Sequence, residues 1–358
     1  MALPFNLFGF KKPSGYLGID IGTLSIKVVE LSMENGRPKL LNYATLSNYG
    51  LAAQSAAQDA AVQKSIKAFG GEAVPMLRRL FKESGIAATG AAMSIPIFSS
   101  FLTVMELPPM SEAELMNAVQ FEAKKYIPVP LDSVAIDWSL IGTSADGKIS
   151  VLLIAIPKEL INEYVAIAKD ANLKLMSVEL ETVSAARALV GNDPVPAVLM
   201  DIGSRDTTIS IVDGGFVRIS HSVETSGEDL TKALAANLGV NWKRAEELKK
   251  QNGLKINDPA DQITNTLTPL LAIIAESAKN VTDLYFSKTQ KKIEKLIIYG
   301  GSAQMPGIAD YFKSRLGMDI VIGNPFSRIA HDNKLESAMK EIGHEFTVAA
   351  GLALKALQ

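Results

Sequence analysis

A six-residue pattern that occurs twice constrains the fold of this chain more than any other sequence feature. Residues 18–23 (GIDIGT) recur 181 positions later as residues 199–204 (LMDIGS). In each copy an apolar strand leads to an aspartate, a glycine turns the chain, and a second β-rich run follows. Such a hairpin leaves backbone N–H groups free at its turn, and these can hold a phosphate. Asp20 and Asp201 beside the turns suit Mg²⁺, because this ion prefers oxygen ligands and keeps most of its own waters.

One hairpin of this kind would be weak evidence, because Asp-Gly turns are common in ordinary hairpins. Two copies at this separation predict two like-folded halves that face each other across a nucleoside triphosphate. The turn-rich stretch 192–196 (NDPVP) then serves as the link into the second half.

Bulk composition excludes several classes of function. The chain has 358 residues with a net charge of −2, so no basic field argues for nucleic acid. It contains no cysteine, which excludes disulfides, thiol nucleophiles and thiolate zinc sites. The histidines lack metal-ligand spacing, and no apolar run is long enough to span a membrane. The apolar start followed by Lys11 and Lys12 is not a signal peptide, and packing on the first domain is favoured over lipid contact.

Strand, helix and turn signals divide the chain further. After residue 95 a capping box, Ser111 with Glu114, opens a helix inside the order strand, helix, strand, strand, helix, closing strand. This order predicts an α+β insertion. The predicted division is an N-terminal tail (1–13), a first half (14–95 and 178–193), the inserted subdomain (96–177), a second half (194–228 and 293–358) and a helical subdomain beside the cleft (229–292).

Four further motifs carry chemistry, and each has a plainer alternative. Lys27 would stand near the phosphates if residues 18–22 and 26–31 pair, but a strand lysine can equally face solvent. Residues 300–308 (GGSAQMPGI) follow a strand and let backbone approach a ligand, or form only a tight turn. Glu246 and Lys249 share a helix face and could meet a ribose, or form a surface ion pair. Glu181 starts a helix of small residues that permits a close helix crossing, or is ordinarily packed.

These pieces follow one another in an order that resembles the actin-like ATPase superfamily, which includes sugar kinases, heat-shock chaperone ATPases, actins and the cell-division protein FtsA. The resemblance implies an α/β actin-like ATPase fold, with two pseudo-symmetric halves flanking a nucleotide cleft, and ATP with Mg²⁺ as ligands. It makes Asp20 and Asp201 the aspartates that hold Mg²⁺ through water. The implied nucleotide-binding residues are Asp20, Gly22, Thr23 and Lys27, Asp201, Gly203 and Ser204, Gly227 and Glu228, Glu246 and Lys249 near ribose and adenine, and Gly300, Gly301 and Ser302 in the adenosine loop.

The insertion narrows the resemblance. Residues 106–115 (ELPPMSEAEL) and 121–130 (FEAKKYIPVP) are similar to the PilM family of type IV pilus assembly proteins, and the insertion resembles that of FtsA. The family implies a cytoplasmic protein, peripheral at the inner membrane, that binds the cytoplasmic tail of a single-span partner, PilN, beside other platform proteins. A docking groove is expected where the insertion meets the first half. Its expected residues are Leu107, Pro108, Tyr126, Ile127 and Pro128, unless these only pack the insertion's own core.

Three functions remain open from sequence. The first is an ATP-binding scaffold of the pilus platform, with weak ATPase activity and homo-oligomerisation left undecided. The second is a small-molecule kinase or hydrolase, which needs a general base; only Glu106 and Glu181 are candidates, so the catalytic residue stays unknown. The third is an FtsA-like filament-forming division or cytoskeletal protein. The weakly charged ending 352–358 (LALKALQ) disfavours this third function, because FtsA-type proteins usually end in an amphipathic membrane helix.

Overall fold

The computed structural model describes residues 15–47, 71–143, 147–255, 258 and 260–357. The predicted N-terminal tail and residues 48–70 of the first predicted half lie outside these residues. The strands are β1 (Tyr16–Ile21), β2 (Ser25–Glu34), β3 (Arg37–Ser47), β4 (Gly90–Ile95), β5 (Phe101–Leu107), β6 (Val134–Thr143), β7 (Ile149–Pro157), β8 (Lys174–Leu180), β9 (Ala197–Ile202), β10 (Thr207–Asp213), β11 (Phe216–Val223), β12 (Lys295–Tyr299) and β13 (Asp319–Ile322). The helices are α1 (Ala73–Ser84), α2 (Glu112–Ala123), α3 (Lys158–Asp170), α4 (Glu181–Leu189), α5 (Gly227–Leu238), α6 (Trp242–Asn252), α7 (Gln262–Thr289), α8 (Ile308–Leu316), α9 (Glu336–Ile342) and α10 (Thr347–Ala356).

Two five-stranded sheets have the same internal order. The first runs β3-β2-β1-β4-β8 and the second runs β11-β10-β9-β12-β13. In both, three antiparallel strands join two parallel ones, so the sequence repeat corresponds to a repeat of topology. The prediction of two like-folded halves is confirmed.

The central strands carry apolar residues because both faces of each sheet are covered. Leu17 and Ile19 on β1 are fully buried, as are Val198 and Met200 on β9. In the second half, helices α5, α6 and α7 pack with β9, β10 and β12 into one core. No helix in the described ranges combines the length and apolarity of a membrane span.

Helices α4 and α10 cross where the two sheets meet, and their contact depends on small residues. A Cβ on Gly351 would collide with the carbonyl oxygen of Ser184, and a Cβ on Gly18 would collide with that of Ala349. Ala185 and Ala186 on α4 are buried in the same layer. The small-residue helix that begins at Glu181 therefore forms a close backbone crossing between the halves.

The insertion is smaller than the sequence predicts. Its sheet is β5-β7-β6, covered by α2, whose start has the predicted capping box with Ser111 and Glu114. The predicted closing strand is β8, but it pairs in parallel with β4 in the first sheet. Helix α3 also belongs there, because Tyr164 and Ala168 are buried in the first-half core. The assignment of β8 and α3 to the first half depends on long-range strand pairing and packing, which cannot be predicted from the periodicity of the sequence.

The insertion also touches the second half. β5, an edge strand of the insertion sheet, lies against β11, the edge strand of the second sheet. Arg218 on β11 donates through Nη2 to the carbonyl oxygen of Ile141 on β6 at 2.8 Å, and through Nε to that of Asp213 at 3.2 Å. The insertion is therefore held between the two halves.

Candidate functional site

A deep cleft lies between the two halves, at the ends of β1 and β9. Its empty volume is about 1430 Å³, part of it open solvent. Every residue predicted to bind nucleotide lines this one cleft: Asp20, Gly22, Thr23, Lys27, Asp201, Gly203, Ser204, Gly227, Glu228, Glu246, Lys249, Gly300, Gly301 and Ser302. Their convergence is a fact of the fold, whereas their role in binding stays a prediction.

The two hairpin turns have the same hydrogen bond at equivalent positions. Gly22 N–H donates to the carbonyl oxygen of Ser25 at 3.0 Å, and Gly203 N–H donates to that of Asp206 at 3.1 Å. Residues 18–21 pair with residues 26–29, which puts Lys27 directly opposite Asp20 in the β1–β2 register, and Lys27 Nζ donates to Ser25 Oγ at 2.9 Å. The lysine is therefore placed beside the first turn, where it can meet an anion.

Carboxylates concentrate at the bottom of the cleft. Asp20 Oδ1 accepts a hydrogen bond from Ser94 Oγ at 2.8 Å. Burial, together with the charges of Asp20 and Asp206, raises the pKa of Asp201 to about 7. Burial and the charges of Asp206, Asp201 and Asp20 raise the pKa of Glu181 well above its ordinary value. The lining of the cleft thus contains more carboxyl side chains than lysine and arginine side chains.

This donor set suits a hydrated Mg²⁺. Carboxylate oxygens are the ligands that this ion prefers, and the raised pKa of Asp201 reflects burial first and then repulsion from Asp20 and Asp206, which a cation would relieve. Within the described ranges no three acidic or histidine side chains are close enough together to ligate a metal directly. A magnesium ion here would keep its water shell, with Asp20 and Asp201 hydrogen-bonded to those waters.

Lys249 is buried, in contrast to the surface ion pair that sequence left open. Only 2% exposed, it donates through Nζ to the Gly227 carbonyl oxygen and to Thr231 Oγ1, both at 2.8 Å, and pairs with Glu246 at 2.8 Å. Its three donors are therefore used within the protein. Lys249 fixes Glu246 at the cleft wall and joins α5 to α6, so any contact of Lys249 with a ribose is indirect.

The glycines in the loop after β12 let its backbone lie close to neighbouring groups of the cleft. Gly300 has φ +90°, and a Cβ there would collide with Asp201 Oδ1. A Cβ on Gly227 would lie 2.6 Å from Ser302 Oγ, whereas one on Gly301 would meet nothing within 4 Å. Helix α8 begins at Ile308, at the end of the 300–308 motif, so its N-terminus lies outside the Gly300–Ser302 segment.

Sequence reasoning missed several residues of the cleft. His344 is buried, its Nδ1 lies 2.8 Å from the Gly300 carbonyl oxygen, and Gly300 N–H donates to its carbonyl oxygen at 3.1 Å. Phe98, Arg205 and Asp206 also line the cleft. The repeat offset could have indicated Asp206, which is the counterpart of Ser25, but no local pattern marks His344.

The structure separates the two candidate bases. Glu181 lines the cleft and its Oε1 accepts a hydrogen bond from Ile97 N–H at 3.3 Å. Glu106 is half-exposed on the insertion sheet, beside Lys148, and lies outside the cleft. Glu106 is therefore excluded as a base for chemistry in this cleft.

A second cavity, called the groove below, lies between the insertion and β11. It has an empty volume of about 730 Å³ and is lined by Ile97, Ser100, Phe101, Leu102, Thr103, Tyr126, Ile127, Leu153, Ala155, Ser220, His221 and Ser222. Of the residues expected in a partner groove, Tyr126 and Ile127 line it. Leu107, Pro108 and Pro128 do not, and Leu107 is buried in the insertion's own core. The opposite wall of this cavity is formed by Ser220, His221 and Ser222 of β11 in the second half, and Ile97 in its lining also packs in the first-half core.

Comparison with known proteins settles the family. The sequence profile described as type IV pilus assembly protein PilM matches residues 18–357. The chain belongs to the PilM family. A more distant relative of this PilM-family chain is cell division protein FtsA of Bacillus subtilis (strain 168), 21% identical over 355 residues, covering 87% of this chain and 78% of FtsA.

Solved structures agree with the PilM assignment at the level of the fold. The structure of a PilM-PilN type IV pilus biogenesis complex superposes with a TM-score of 0.79 at 22% identity, covering 97% of this chain and 100% of that one. MreB5 of Spiroplasma citri bound to AMPPNP gives a TM-score of 0.50 at 12% identity, covering 96% of each chain. The predicted actin-like ATPase fold is confirmed.

Proposed function

We propose that this PilM-family protein is an ATP-binding scaffold of the type IV pilus assembly platform, which docks the cytoplasmic tail of a PilN-like single-span membrane protein. The observation that carries this proposal is the convergence of both repeat hairpins, with all residues predicted for nucleotide, on one cleft. The similar structure is a complex of PilM with PilN, and this supports the choice of partner. The partner would hold the protein at the cytoplasmic face of the inner membrane.

The cleft accounts for each part of Mg-ATP. Free backbone N–H groups at the two hairpin turns, with Lys27, would bind the phosphates. Asp20 and Asp201 would hold Mg²⁺ through its waters, and the ion would neutralise phosphate charge. Glu246, fixed by Lys249, would accept from ribose hydroxyls, and the Gly300–Ser302 backbone would lie against the adenosine. The AMPPNP bound to MreB5, which has a similar fold, supports nucleotide as the ligand class.

We propose that ATP acts mainly by being bound in the cleft, and that its hydrolysis is secondary. Glu181 is the carboxylate that could orient or activate a water, but burial and the neighbouring aspartates raise its pKa well above its ordinary value, which favours its protonated form. A protonated carboxyl is not a general base. Weak hydrolysis is therefore expected, with Glu181 as the residue on which it depends.

The groove suits an extended peptide. β5 pairs only with β7 and β11 only with β10 among the described strands, so each presents an unpaired edge to the groove. Edge strands offer backbone N–H and C=O groups to an added strand, and neighbouring side chains give specificity. Tyr126, which is 43% exposed, supplies apolar surface at the rim. A short membrane-protein tail is an occupant that fits this shape.

Titration of Mg-ATP into the full-length protein, followed by phosphate release on the same sample, tests the nucleotide part. Wild type should bind with little release, and Asp20→Ala should bind weakly while remaining folded. Asp137→Ala, an exposed aspartate of β6, is the matched control. Wild-type affinity in Asp20→Ala would refute the assignment of this aspartate. Polymers that sediment only with Mg-ATP would favour the FtsA-like filament function instead.

Peptide capture tests the groove. Ile127 is a poor target because it is 5% exposed and packs in the insertion core, so a charge there would unfold the subdomain. Tyr126→Asp should abolish binding of a synthetic peptide of the partner's tail and leave Mg-ATP binding unchanged. Met116→Asp, on the exposed side of α2, is the matched control. Unchanged peptide binding in Tyr126→Asp would rule out this groove.

A further inference from the structure

A single short segment separates the cleft from the groove. Residues 96–100, called the 96–100 turn below, contribute Pro96 and Phe98 to the lining of the cleft. The same segment contributes Ile97 and Ser100 to the lining of the groove. No more than one layer of residues therefore lies between the two cavities at this point.

The 96–100 turn is tightly hydrogen-bonded within itself. Ser99 N–H donates to the Pro96 carbonyl oxygen at 3.2 Å, and Ser100 N–H donates to that of Ile97 at 3.1 Å. The Ser100 hydroxyl donates to the same Ile97 oxygen at 3.0 Å. Because a proline and three local bonds fix its backbone, a displacement on the cleft side will carry Ile97 and Ser100 with it.

Two contacts hold this turn from the cleft. The guanidinium of Arg205 lies 4.2 Å from the centre of the Phe98 ring, and Glu181 Oε1 accepts from Ile97 N–H at 3.3 Å. Arg205 sits in the turn of the second-half hairpin, between Gly203 and Asp206. The Arg205–Phe98 stack therefore joins the second half to the segment that walls the groove.

We propose that the Arg205–Phe98 stack couples the nucleotide cleft to the groove, so that phosphates bound at the hairpin turns draw Arg205 away from Phe98 and release the 96–100 turn. This inference rests on the proposed function, and it adds the contact through which nucleotide in the cleft would change the groove. Arg205 acts here as a positioning residue for the turn.

Arg205 should leave Phe98 when phosphate binds, because its interaction with phosphate is the stronger of the two. A guanidinium binds phosphate oxygens through paired, charge-assisted hydrogen bonds, which are stronger than its attraction to a phenylalanine face. Phe98 is 40% exposed, so its stack with Arg205 is partly solvated and weak enough to be exchanged. Once the stack is lost, Glu181 alone holds the turn from the cleft side.

Coupling of this kind is reciprocal. If nucleotide lowers the affinity of the groove for its peptide, the peptide must lower the affinity of the cleft for nucleotide by the same factor. Couplings between sites in proteins start at about fivefold. We expect a factor near this lower value, because one exchangeable stack carries it.

Hydrogen–deuterium exchange of the full-length protein tests the coupling, with Mg-ATP saturation verified by calorimetry on the same sample. In wild type, Mg-ATP should raise exchange in the peptide covering residues 96–104 by about fivefold. Phe98→Ala and Arg205→Gln should show the raised exchange without nucleotide, and no further response to it. Phe121→Ala and Arg244→Gln, an exposed phenylalanine and an exposed arginine elsewhere, should behave as wild type.

The tail peptide provides a second readout. Mg-ATP should weaken its capture about fivefold in wild type and not in Phe98→Ala. Nucleotide binding with unchanged exchange at residues 96–104, or a full response in Phe98→Ala, would overturn the coupling and leave the proposed function standing. Absence of Mg-ATP binding in wild type would refute the proposed function, and the coupling with it.

Discussion

Replacing Asp201 by asparagine should stabilise the empty protein while it removes Mg-ATP binding. The carboxyl of Asp201 is buried beside Asp20 and Asp206, and these surroundings raise its pKa from the ordinary 3.8 to about 7. Ionising it without a cation is therefore costly. An amide of nearly the same shape carries no charge, so Asp201→Asn removes this cost together with the group that Mg²⁺ needs.

The size of the stability difference between Asp201→Asn and wild type follows from the pKa values of Asp201 in the folded and unfolded protein. Because the folded pKa lies above the unfolded one, the stabilisation by the protonated carboxyl is full below the unfolded pKa and is lost as pH rises through about 7. Between pH 6 and pH 8 this loss is about 1.4 kcal/mol, one pKa unit's worth. The advantage of Asp201→Asn over wild type should grow by this amount over the same interval.

Urea unfolding of wild type, Asp201→Asn and the control Asp137→Asn at pH 6 and pH 8 measures the difference. Asp137 is exposed, so its variant should follow wild type at both values. Mg-ATP should reduce the advantage of Asp201→Asn, since a ligand at a hundredfold its Kd stabilises wild type by about 2.7 kcal/mol and should not stabilise a variant that does not bind it. An advantage of Asp201→Asn that is absent, or that shrinks between pH 6 and pH 8, would refute the reasoning.

Three further predictions follow from close contacts in and beside the cleft. Gly300→Ala, at φ +90°, should cost about 1–3 kcal/mol of unfolding free energy, whereas Gly301→Ala should fold normally and weaken Mg-ATP in a titration. Lys249→Met should cost about 1–3 kcal/mol because it removes the buried hydrogen bonds of the ammonium and leaves Glu246 with only the longer ion pair to Lys250, against under about 0.5 kcal/mol for the partly exposed Lys250→Met, both measured by urea unfolding. Gly351→Ala should lower the unfolding free energy by about 1–3 kcal/mol, since its methyl group would push two crossing helices apart.

The parts of the fold that sequence predicts are those with a local cause. Each hairpin is specified by its own strand, glycine and turn, so two copies predict two similar sheets before any long-range contact is known. The capping box of Ser111 and Glu114 predicts where α2 begins for the same reason, and both of its hydrogen bonds are present. Because the two hairpins lie at the cleft, those of its lining residues that belong to the hairpins could be identified from sequence.

What sequence could not give depends on partners distant in the chain. Strand β8 has the composition of any short strand, and only its pairing with β4 assigns it to the first half. Lys249 and Glu246 have the spacing of a surface ion pair, and only the packing of α5 on α6 buries the lysine. His344 holds the Gly300 loop from 44 residues away, through a carbonyl contact that has no sequence signature.

The bond from Arg218 to the Ile141 carbonyl has a mechanical consequence. The insertion is joined covalently to the first half at both of its ends, and this bond together with the β5–β11 contact ties it to the second half. The three parts therefore form a closed ring of contacts. The first half is joined to the insertion, the insertion to the second half, and the second half back to the first through the α4–α10 crossing. We therefore expect a change in the angle between the halves to change the width of the groove as long as the Arg218 bond is kept.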